Sequence, residues 1–153
     1  MKFIFNLILG LTIVSNPLSG YSQKKNITDA AMLMKKYNPM SGLDAGQKIV
    51  NDAKVFIDLA ATNPETIEDL KMHFYRAEVY FALIELATMK AVAGNELNET
   101  LLEEYEAISK ESFKKVMADP KKTWKADAEY FINSRSENAF SIGLKSYTDK
   151  NLV

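Results

Sequence analysis

An all-α fold of about five helices is what this sequence predicts, and three observations predict it. Beyond residue 22 no alternating apolar and polar run of strand type and length stands out, while apolar residues recur at helical spacing. The pairs Asn38-Pro39, Asn63-Pro64 and Asp119-Pro120 punctuate that pattern, because Pro disfavours helical geometry in the residue before it. The 153 residues are 47% hydrophobic and 25% charged, the composition and length of one globular domain with one core.

Residues 1–22 differ from the rest. Lys2 is a short positive start, Phe3 to Val14 is apolar apart from Asn6 and Thr12, and Asn16-Pro17 breaks the run. Gly20 and Ser22 then place small residues at the positions before Gln23, which predicts a secretory signal peptide cleaved between Ser22 and Gln23. The apolar run of roughly 12 residues is short of the ~20 needed to span a bilayer, so no stable membrane insertion is expected after cleavage. The expected compartment is periplasmic or extracellular. Cys is absent, which excludes both disulfide stapling and acylation at a Cys after the signal.

The predicted helices follow in order. The first covers Thr28 to Tyr37 and stops at Asn38-Pro39. Asp44 with Gln47 resembles a capping box opening the second, whose stripe is Ile49, Val50, Ala53, Phe56, Ile57 and Ala60. Thr66 with Asp69 is expected to cap a third helix that runs to about Ala93. Its Phe74, Tyr75, Val79, Tyr80, Phe81, Leu83, Ile84, Leu86 and Met89 point in nearly every direction, so it should be central. Gly94-Asn95 ends it. Asn98 starts the fourth, with Leu101, Leu102, Tyr105, Ile108, Phe113, Val116 and Met117 as its expected inner face. The fifth begins near Thr123 and carries Trp124, Ala128, Phe131, Ile132, Ala139, Ile142 and Tyr147.

An internal repeat underlies two of these helices. Ala53, Ile57, Ala60 and Pro64 share their spacing with Ser109, Phe113, Val116 and Pro120, displaced by 56 residues. Ala77 and Tyr80 in the third helix, and Gly143 and Tyr147 near the C-terminus, repeat a small residue followed by an aromatic. On these residues the chain resembles the tetratricopeptide repeat family, as an exported bacterial member with degenerate repeats. The period exceeds the family's 34 residues by about 22, which places an insertion around Lys90 to Thr100. The resemblance implies stacked helical hairpins in a right-handed array, possessing a groove for a partner segment, with Ala53, Ile57, Ala60, Pro64, Ala77, Tyr80, Phe113, Val116, Pro120, Gly143 and Tyr147 as packing residues. It also implies an incomplete repeat at the C-terminus.

No catalytic constellation accompanies this pattern. His73 is the sole histidine, and without Cys it cannot make an ordinary zinc site; packing is its expected role. Glu103, Glu104 and Glu106 sit in the first turns of the fourth helix as a solvated face. Lys114, Lys115, Lys121, Lys122 and Lys125 gather around Pro120 without a phosphate-binding Gly loop. Nineteen Lys and Arg against twenty Asp and Glu give a net charge of -1, and loss of residues 1–22 with their one Lys makes it -2, which argues against nucleic acid. The function expected is non-enzymatic: a protein-interaction or scaffold module, without cofactor or metal, that binds a protein or peptide segment. A homo-oligomer through the C-terminal helix is a further expectation. The alternative is a helical bundle binding a small ligand or glycan through Tyr105, Trp124 and Tyr130.

Overall fold

The computed structural model describes residues 18–39 and 42–135, and their side chains from Lys24 onward. Among the described residues the fold is all-α, with five helices and no strand. They are α1 (Leu18–Met34), α2 (Leu43–Ala61), α3 (Leu70–Val92), α4 (Glu99–Met117) and α5, residues 125–135. Gly143 and Tyr147, and with them the expected incomplete repeat, lie outside the described residues.

Local chemistry sets the helix ends, in several places differently from the sequence expectation. α1 includes Leu18 and runs without interruption through Ser22 and Gln23, so it is longer than Thr28 to Tyr37 and ends a turn earlier, at Met34. The capping box at Asp44 does not form. Gly42 occupies the N-cap of α2 at φ 104°, a left-handed conformation that suits a residue without Cβ, and the Gln47 side chain bonds instead to Asn51 at 2.8 Å. At α3 the two candidate caps divide the work. The Asp69 carboxylate accepts from the Lys71 N–H at 2.8 Å and is the cap. The Thr66 hydroxyl, wholly buried, donates to the Ala60 carbonyl at 2.6 Å and ties the loop to the last turn of α2. Asn98 caps α4 as expected, its side chain accepting from Leu101 N–H at 3.0 Å. Asp119 accepts from the N–H groups of both Lys121 and Thr123, which turns the chain into α5.

Short connections make neighbouring helices antiparallel. The core cluster joins α1, α2 and α3 through Ile27, Ala30, Met34, Val50, Ala53, Ile57, Ala60, Met72, Val79 and Leu86. Gly46 allows close approach here: a Cβ would sit 3.2 Å from the Tyr37 ring. On its other side α3 meets α4, where Ala77 is fully buried and its carbonyl accepts a hydrogen bond from the Ser109 hydroxyl at 3.1 Å. α5 and the turn before it pack along α3 through Trp124 stacked on Phe74, Phe131 edge-on to Phe81, and Arg135 paired with Glu85. Four helices therefore cover α3, which is the central position its all-round apolarity predicts.

Centrality does not bury every residue of α3. Phe81 is half-buried rather than enclosed, and on α4 both Leu101 and Met117 are 38% exposed instead of facing inward. Ile132 of α5 is 42% exposed. Among the described residues α4 packs against α3 and against Ala128 and Phe131 of α5, and part of its apolar stripe stays exposed.

Candidate functional site

That shortfall makes a cleft. Phe81 and Ile84 from α3, Phe113 and Met117 from α4, and Ile132 from α5 line a trough of about 600 Å³. Two of the lining rings share a buried partner outside the lining: Phe131 lies 5.5 Å from both Phe81 and Phe113, centroid to centroid. Glu106, Lys110 and Lys114 of α4 stand along the rim, with Glu106 and Lys110 ion-paired at 2.7 Å. An apolar trough with a few charges along it accepts apolar side chains. A smaller cleft of about 210 Å³ lies at the other end of α4, between Leu83, Ala87 and Lys90 of α3 and Asn95 to Tyr105.

Comparing the two repeat copies shows why the trough exists. Ala53, Ile57 and Ala60 on α2 are all fully buried, because α1 and α3 enclose them from two sides. Ser109 and Val116, at the matching positions of α4, are buried as well. Phe113, which matches Ile57, is only partly buried and forms the wall of the trough. Ala77 and Tyr80 are buried in α3, Tyr80 donating to Asp58 of α2 at 2.8 Å. Pro64 and Pro120 lie exposed just beyond the helix ends. Ser22 and Gln23 belong to α1.

A second group of residues, which sequence reasoning missed, is charged and mostly enclosed. Arg135 of α5 reaches both carboxylate oxygens of Glu85 at 3.2 Å and lies over the Tyr37 ring at 5.8 Å. The Tyr37 hydroxyl is buried beside the Glu85 carboxylate. Burial, with the Glu85 charge adding to it, holds the Tyr37 phenol well above its ordinary range. Burial also raises Glu85, against the pull of Arg135. One helical turn and more away, burial pushes the Glu78 carboxyl up to about 7, again with Arg135 opposing. The available signal was that Glu78 and Glu85 lie on a helix apolar on all sides, where a charge has to be enclosed. Their partner, 50 residues downstream of Glu85, carried no such mark.

The remaining candidates sit as structural groups. His73 is 3% exposed with neither ring nitrogen hydrogen-bonded, and burial, with the Lys115 charge adding to it, lowers its pKa. Trp124 and Tyr105 are engaged in ring pairs with Phe74 and Tyr80, while Tyr130 is 76% exposed. Among the described residues no three His, Asp or Glu side chains converge as a metal site, and no helix is long and apolar enough to cross a membrane. Neither cleft described above is lined by His73, Glu78, Glu85 or Arg135. Comparison with protein-family models, with curated proteins and with solved structures found no match.

Proposed function

We propose that this chain is a non-enzymatic protein-interaction module of the exported compartment, a tetratricopeptide-like helical array that holds a partner segment in the trough between α3, α4 and α5. The single observation that carries the reading is the trough itself: Phe81, Ile84, Phe113, Met117 and Ile132 converge on a space of about 600 Å³ that faces outward. Apolar side chains left open on an otherwise closed helical core mark interaction surfaces, because water gains from their burial against a partner. The shape suits a helix laid into a groove, which would offer two or three apolar residues at successive turns. Export is part of the proposal and stands on the pattern of Lys2, Phe3 to Val14, Gly20 and Ser22.

A photoreactive residue in place of Met117 tests this in the native exported fraction. The expected result is a discrete adduct to a segment with apolar residues at helical spacing, lost when Ile132→Asp is added and absent from the same probe at Val55 on α2. Adducts that ignore Ile132→Asp, or that map to segments without such spacing, would overturn the reading.

A further inference from the structure

A segment of the same chain has the chemistry to fill the trough. α5 forms one edge through Ile132, and three residues on Arg135, the last described residue, is held to α3 by its pair with Glu85. Residues 136–153 are outside the described structure, but their sequence places Phe140, Leu144 and Tyr147 four and then three residues apart, on one face of any helical turn. The polar residues Ser141, Lys145 and Ser146 fall between them.

Distances allow the fit. Packed helices lie ~8–10 Å apart, and the four residues 136–139 reach up to ~13 Å when extended, enough to turn from α5 onto the trough. At ~1.5 Å per residue, Phe140 to Tyr147 spans about 10 Å, within the roughly 16 Å from Glu106 to Met117 along α4. A short tether holds such a segment at an effective concentration of the order of mM, so a weak contact suffices to keep it in place. The repeat comparison points the same way. Ile57 is enclosed by helices of this chain on two sides, and Phe113 at the matching position lacks its second cover.

We propose that Phe140, Leu144 and Tyr147 of the chain's own C-terminal segment occupy the trough, and that a partner gains the site by displacing them. This rests on the reading of the trough as an interaction surface.

The absence of Cys makes a disulfide test clean, since any bridge must come from introduced residues. In the full chain, Met117→Cys with Leu144→Cys should oxidise to a cross-linked monomer at a rate independent of protein concentration. That rate should be at least tenfold above the control pair Val55→Cys with Leu144→Cys, and it should fall to the control level when Phe140→Asp is added. Ile84→Cys with Tyr147→Cys repeats the measurement if the first pair disturbs helical content. Cross-linked dimers whose yield rises with concentration would assign the trough to a second copy and overturn the proposal. Rates equal to the control would overturn it as well. The photoreactive probe at Met117, used in the Phe140→Asp chain, separates the two readings: a partner adduct without a disulfide preference refutes only the tail, and a disulfide preference without a partner adduct refutes only the interaction function.

Discussion

Replacing Glu78 by Gln should stabilise the protein above neutral pH and leave it nearly unchanged below pH 5. Glu78 lies on the central helix, and burial lifts its carboxyl from 4.5 to about 7. The folded state thus binds this proton more tightly than the unfolded chain does. Below about 4.5 both states hold the proton and the contribution is fully present; as pH rises from 4.5 through 7 it is lost, because the folded state must enclose a charge. At about 1.4 kcal/mol per pKa unit, the 2.5-unit rise amounts to roughly 3 kcal/mol between pH 4 and pH 8. Glu78 is only partly enclosed, so about 2 kcal/mol is the expected difference in practice. Urea unfolding followed by the single Trp124, which stacks on Phe74, gives the stability of both chains at pH 5 and pH 8. Taking the difference between the chains cancels the titration of every other group. The expected result is a gain for Glu78→Gln of about 2 kcal/mol at pH 8 that shrinks towards zero near pH 4.5. A loss of stability at pH 8, or a difference that does not vary with pH, would show that Glu78 is a paired carboxylate and that Arg135 serves it rather than Glu85.

Three further outcomes follow from the packing. His73 is buried with its pKa lowered, chiefly by that burial, so the wild type should lose stability as pH falls through 6.5 towards the lower folded value; His73→Leu should remove that acid-side slope in the same unfolding experiment. Ala77→Leu would force a larger side chain into the α3–α4 contact and should cost about 1–3 kcal/mol by chemical denaturation. Asn98→Ala removes the N-cap of α4 and should cost about 1 kcal/mol, read as a lower midpoint of thermal unfolding with unchanged helical signal at low temperature.

What could be read from the sequence was what depends on near neighbours along the chain. Asn63-Pro64 and Asp119-Pro120 stop α2 and α4 because Pro acts on the residue beside it, and Asn98 caps because its side chain reaches an N–H three residues on. The sequence pattern made Thr66 the cap of α3 with Asp69 as its partner, and the cap is Asp69 instead. Only the approach of the Ala60 carbonyl gave the Thr66 hydroxyl a different partner. The centrality of α3 was legible too, since a helix apolar on all sides needs cover on all sides. The trough was not. Phe81, Phe113, Met117 and Ile132 have the composition of core residues, and hydrophobicity does not tell whether a neighbouring helix is present to cover them. The Arg135–Glu85 contact escaped for a related reason: an ion pair across 50 residues depends on which helices meet, and no spacing rule links them.

The central claim is that the trough between α3, α4 and α5 is a docking surface that is occupied in the intact protein. Two methionines in the described structure measure this against each other: Met117 on the trough wall, 38% exposed, and Met32 on α1, 53% exposed and away from it. Their oxidation by dilute peroxide, followed residue by residue by mass spectrometry on the purified full chain, reports whether each sulfur meets solvent. The account predicts that Met117 oxidises at least tenfold more slowly than Met32, and that Phe140→Asp brings the two rates together. Oxidation of Met117 at a rate comparable with Met32 in the unmodified chain would contradict it.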